Sequence, residues 1–101
     1  EQAEELAKHK YTTAAAVITR VVLETAMRDL CNEAGVSIGS LEKMNNELTK
    51  AGVYNKNQQK KITALAAIGN SAAHGKTDEF NVQDVNLMIQ DVRSFLLKYF
   101  E

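Results

Sequence analysis

Val82-Gln83-Asp84-Val85-Asn86-Leu87-Met88-Ile89-Gln90-Asp91-Val92-Arg93-Ser94-Phe95-Leu96-Leu97-Lys98-Tyr99 decides the fold. Val82, Val85, Met88, Ile89, Val92, Phe95, Leu96 and Tyr99 recur at i, i+3, i+4 and i+7. That period lays one apolar stripe along a helix and cannot form the two faces of a strand. Asn81 stands where an N-cap belongs, and Asp84 adds a carboxylate to the first turn, where the helix dipole favours it.

Working backwards, Gly75 closes a second periodic stretch, from about Asn57 to Ala73. Ile62, Leu65, Ile68 and Ala72 make its stripe, and Ala66, Gly69 and Ala73 add small residues that let another helix come close. Before it, Ser40 can cap a short helix carrying Leu41, Met44 and Leu48 and ending at Gly52. The segment from Val53 to Asn57 reads as a loop, and Lys76–Phe80 as a connector. The first helix is predicted from about Glu4 to Ala34, with room for a bend near Tyr11-Thr12-Thr13 and a stop at Gly35. Val17, Ile18, Val21, Val22, Leu23, Ala26, Met27, Leu30 and Cys31 cover more than one stripe of it, a pattern typical of burial from two sides. Proline is absent, and no β-like alternation persists. Short connections then predict an all-α, antiparallel four-helix bundle whose first helix invites dimerisation.

The totals agree with that picture. A chain of 101 residues holds one domain over 1–101. No apolar run approaches the ~20 residues that span a bilayer, and Glu1-Gln2-Ala3-Glu4-Glu5 lacks the pattern of a signal peptide. The chain opens without Met, as a piece of a longer protein would. One cysteine, Cys31, cannot form an internal disulfide, which suits a cytoplasmic location, and its place at the end of an apolar stripe points to burial. A net charge of −1 gives no global attraction for nucleic acid, so any such contact must come from a local patch or a dimer groove. No metal-binding His or Cys spacing and no Gly-rich phosphate loop is present, so no cofactor is expected.

Two histidines remain. His9, between Lys8 and Lys10, reads as a solvated surface residue. His74 ends the third helix one turn after Asn70, within side-chain reach on the same face. The plainer account makes His74 a cap for the last carbonyls, favoured there by the helix dipole.

The segment Ile68-Gly69-Asn70-Ser71-Ala72-Ala73-His74-Gly75 resembles the signature of HEPN domains (higher eukaryotes and prokaryotes nucleotide-binding), in which an arginine is followed by a polar residue and then by a histidine. The first-helix stretch from Ala14 to Leu30 and the final helix from Val82 to Phe100 are similar to such domains as well. The resemblance implies a metal-independent endoribonuclease of the toxin and antitoxin, abortive-infection or antiphage kind. Such domains usually work as homodimers with RNA across a shared cleft. Other implied partners are an antitoxin or further domains of a longer protein. Asn70 and His74 would be catalytic: His74 would move the proton as a ribose 2′-OH attacks the phosphate, and Asn70 would orient it. The motif arginine would stabilise charge on phosphorus, and here Gly69 occupies its place.

Glycine brings no charge and costs about 1 kcal/mol relative to alanine within a helix. Losing a preorganised charge-stabilising group typically lowers rate on the order of 10²–10³-fold, so the ribonuclease centre is expected to be impaired. Three accounts of Gly69 stand: a degenerate site, a selected or engineered loss of toxicity, or another cation in the arginine's role. Arg28, Lys60, Lys61 and Lys76 are the candidate cations, and Lys60, Lys61 and Lys76 the candidate RNA contacts. The alternative function is a non-catalytic dimerisation or protein-interaction module.

Overall fold

The computed structural model describes the backbone of residues 2–100 and the side chains of residue 8 and residues 10–100. The expectation for His9 lies outside the described side chains. The domain is an all-α bundle of four helices: α1 (Gln2–Ala34), α2 (Leu41–Lys50), α3 (Lys56–Ala73) and α4 (Val82–Tyr99), with one 3₁₀ turn at Thr77–Glu79. Among the described residues no helix is long and apolar enough to cross a membrane. The helix starts are chemically explicit. Ser40 Oγ accepts the Lys43 N–H at 3.1 Å, and Asn55 Oδ1 accepts the Gln58 N–H at 3.0 Å. α3 therefore begins at Lys56, one residue earlier than periodicity alone predicts. Asn81 and Asp84 form a reciprocal capping box at the start of α4, both bonds 2.9 Å.

α1 is continuous through Tyr11–Thr13 and packs against all three other helices. Its 33 residues set the 50 Å long axis of the molecule. α3 runs antiparallel to its neighbours. Its start meets the end of α1 around Cys31 and Tyr54, and its end lies beside Arg20. Asn45 and Asn46 of α2 bond to Thr63 and Gln59 of α3 in the same opposed sense. The stretch from Val36 to Ser40 folds back along α1, so α2 starts near the middle of α1 and follows its direction.

Leu23, Met27, Cys31, Met44, Leu48, Ile62 and Met88 form the fully buried centre. Burial, and secondarily the Glu47 carboxylate, pushes the Cys31 thiol up, which keeps it protonated and unreactive. At one end Tyr54, Phe95 and Tyr99 stack at centroid separations of 4.8–6.2 Å and fasten the α2–α3 loop to α4. Among the described residues one polar side chain enters this core: Asn45 is 2% exposed. Its Nδ2 donates to the Gln59 carbonyl at 3.0 Å and to Thr63 Oγ1 at 3.2 Å, while its Oδ1 accepts the Tyr54 hydroxyl at 2.6 Å. A fully partnered amide in a low-dielectric setting fixes the register of α2 against α3.

The outer side of α1 stays open. Tyr11, Ile18, Val21 and Val22 are exposed along it, and Leu97 and Phe100 of α4 are exposed as well, with Phe100 beside Val21 and Val22.

Removing one side of the Asn45 network orphans its partners. Asn45→Ala should lower unfolding stability by about 2 kcal/mol and Tyr54→Phe by about 1 kcal/mol, read from urea denaturation midpoints. Equal, negligible losses for both would show that the network does not bind α2 to α3.

Candidate functional site

α3 delivers the sequence-predicted site. Asn70 and His74 lie one turn apart near its end, and both are exposed. The local backbone explains the position of His74. Gly75, at φ 72°, takes the left-handed conformation that lets the chain reverse. Its N–H bonds the Ala72 carbonyl at 3.1 Å, the Lys76 N–H bonds the Ser71 carbonyl at 2.8 Å, and the His74 N–H bonds the Asn70 carbonyl at 3.0 Å. This is a Schellman closure made by main chain alone. The carbonyls of Asn70, Ser71 and Ala72 are thus engaged by main chain, and the His74 imidazole takes no part in these bonds. Ser71 Oγ donates to Glu79 Oε1 at 2.6 Å and holds the 3₁₀ turn against the end of α3.

Gly69 is buried, and its neighbour is an arginine. A Cβ built on Gly69 would fall 2.7 Å from Arg20 Cδ, 2.8 Å from Arg20 Cβ and 3.0 Å from Arg20 Cγ. The Arg20 stem thus lies flat across the bare backbone of α3. Because Arg20 Cβ is fixed to its own helix, any side chain at position 69 would push α1 and α3 apart. Ala16 and Ala72, a turn away on each helix, are also small and buried. Gly69 is therefore the packing surface for Arg20. There is no space at position 69 for a side chain, let alone a guanidinium.

Arg20 also lines a groove between α1, α2 and α3, about 440 Å³ in volume, with Ser40, Asn46, Thr63 and Asn70 among its walls. Its Nη2 pairs with Glu24 Oε1 at 3.2 Å, the two side chains being 32% and 26% exposed. Such a partly exposed pair contributes at most about 1 kcal/mol. Its Nε is buried without a hydrogen-bond partner.

The other expected cations are dispersed. Lys60 and Lys61 are exposed near the start of α3, and Lys76 follows its end. At 1.5 Å per residue Lys60 and the end of α3 stand roughly 20 Å apart, too far for Lys60 and Lys76 to serve one phosphate. Lys61 lines a separate depression with Tyr54, Asn57 and Lys98. Arg28 is exposed on α1 two turns beyond Arg20 and does not line the groove. The structure thus brings Arg20 and Asn70 together, leaves His74 a turn beyond the groove lining, and spreads the lysines. Sequence reasoning missed Arg20, although a lone arginine inside the run from Val17 to Leu23 was a visible anomaly. Among the described residues no three His, Cys, Asp or Glu side chains converge as metal ligands.

Fold and groove together define a small helical domain with a groove between α1, the start of α2 and the second half of α3. A family model described as "Domain of unknown function (DUF4145)" matches residues 1–101, and the chain belongs to that family. No curated protein and no solved structure matches the chain.

The close approach makes a specific stability prediction. At an open helix position Gly→Ala gains about 1 kcal/mol, whereas overpacking costs about 1–3 kcal/mol. Gly69→Ala should therefore destabilise by about 1 kcal/mol, and Gly69→Arg by more, in chemical denaturation. A stabilised Gly69→Ala would contradict the packing described.

Proposed function

We propose that this chain is an RNA-targeting helical module of the HEPN kind, with a weakened ribonuclease centre at Asn70 and His74. One observation carries the reading: the Schellman closure of α3 is made by main chain without the His74 side chain, and an exposed imidazole stands one turn from an exposed carboxamide. His is the side chain whose ordinary pKa suits proton transfer near neutral pH, and Asn can orient it or a ribose hydroxyl. Position 69 carries no cation, so cleavage by the site is slow. The homodimer usual in such domains would use the open face of α1, and a toxin, abortive-infection or antiphage setting follows from the same resemblance.

A second reading has its own support. Tyr11, Ile18 and Val21 are 76%, 62% and 57% exposed on one long helix, an apolar stripe suited to a second copy of this chain. On that reading the domain is an assembly module.

The test is binding and cleavage of a short single-stranded RNA with a metal chelator present, for the chain as it stands and for His74→Ala and Asn70→Ala. The RNA-targeting reading predicts saturable binding, with slow cleavage abolished by His74→Ala. Absence of RNA binding at low salt, together with a sedimenting dimer that Ile18→Glu converts to a monomer, would replace it with the assembly reading.

A further inference from the structure

The groove between α1, α2 and α3 holds an arginine whose hydrogen bonding is unfinished. Arg20 Nε is buried and unpartnered, an unfavourable state unless a ligand or a rearrangement satisfies it. The guanidinium is held by its stem, pressed on Gly69, and not by a saturated network. Its one ion pair, to Glu24 through Nη2, is partly solvated and exchangeable.

The other walls present donors. Ser40 Oγ accepts from the Lys43 N–H, which leaves its own O–H to donate. Asn46 Oδ1 accepts from Gln59 Nε2 at 2.8 Å, which leaves the Asn46 Nδ2 donors. The Asn70 carboxamide is exposed on the α3 wall. Thr63 Oγ1, by contrast, donates to the Gln59 carbonyl and accepts from Asn45, so its hydrogen bonding stays inside the protein. The N-terminus of α2 begins at Leu41 on this groove and adds its positive dipole end. Glu42, exposed at the rim, is the one carboxylate among the lining residues.

A guanidinium fork, two carboxamides, a hydroxyl donor and a helix N-terminus suit an oxyanion with several acceptor oxygens. We propose that this groove is a phosphate-binding subsite, anchored by Arg20, which supplies from α1 the cation that position 69 of α3 lacks. For Nε and one Nη to share an acceptor the guanidinium turns out of its Glu24 pair and brings the buried Nε to the groove. The phosphate belongs to a nucleotide or to a nucleotide chain. That it comes from RNA rests on the proposed function, whereas the oxyanion site itself does not.

The experiment follows the Arg20 Nε–H resonance by ¹⁵N NMR at constant ionic strength. The titrants are inorganic phosphate, adenosine monophosphate and a short single-stranded RNA, with chloride as control. The proteins are the chain as it stands, Arg20→Lys, Arg20→Gln and Glu42→Gln. Saturable shifts at Arg20 Nε and at the Asn46 and Asn70 amides are expected with phosphate-bearing titrants and not with chloride. Arg20→Gln should weaken binding roughly tenfold, and Arg20→Lys by less, because it keeps the charge and loses the fork. Glu42→Gln should tighten it by about two- to threefold, since a like charge at the rim is removed.

An Arg20 resonance that responds to chloride and phosphate alike would overturn the proposal without any variant. So would Arg20→Gln binding as tightly as the unaltered chain. If RNA binding survives Arg20→Gln but is lost in His74→Ala, the subsite falls and the RNA reading stands. If phosphate saturates the groove while RNA is not bound, the subsite stands and the RNA reading falls.

Discussion

The contact between α1 and α3 at Arg20 and Gly69 sets the geometry of everything around it. Two helices approach this closely only where one lacks a side chain, and Gly69 provides that gap in the middle of a buried face. The helix gives up about 1 kcal/mol of intrinsic propensity at this residue. In return α1 and α3 meet closely at this point, and the stem of a long cationic side chain is held against the Gly69 backbone. Arginine stems commonly cover apolar surface while the head reaches for polar surroundings. Here the head is delivered to the edge of a groove, beside Asn70.

That seam changes what the apparent defect in α3 means. Position 69 carries no cation because it carries the neighbouring helix. The charge sits on α1 and reaches the same region from the opposite wall. At the end of α3 the main-chain N–H groups of Gly75 and Lys76 engage the Ala72 and Ser71 carbonyls, and the His74 imidazole takes no part in that closure. Packing thus brings Arg20 into the groove that Asn70 also lines, and the main-chain closure leaves the His74 imidazole exposed one turn further along α3.

The helical architecture was legible in the residues. The period of Val82–Tyr99 and the caps at Ser40 and Asn81 locate α2 and α4 correctly, because capping and amphipathicity are local properties. The start of α3 was displaced by one residue, since Asn55 caps it through a side chain that composition alone reads as loop. Asn70 and His74 could be paired because i, i+4 spacing puts them on one face. Arg20 could not be paired with Gly69, because their contact depends on the crossing of two helices 49 positions apart in the chain. Asn45 was hidden for the same reason: its three partners come from Tyr54, Gln59 and Thr63 and assemble only when α2 folds onto α3. The four lysine and arginine positions that seemed available to phosphate turned out to be exposed and dispersed, while the arginine within an apolar run proved to be the placed one.

The most direct measurement of the central claim is a double-mutant cycle between Arg20→Gly and Gly69→Ala, with unfolding free energies taken from urea denaturation. If the Arg20 stem occupies the space above Gly69, the alanine is tolerated better once the stem is gone, and the two changes couple by about 1 kcal/mol or more. Additivity within about 0.5 kcal/mol would mean that the two residues do not meet, and the account of the seam, and of the guanidinium it positions, would be wrong.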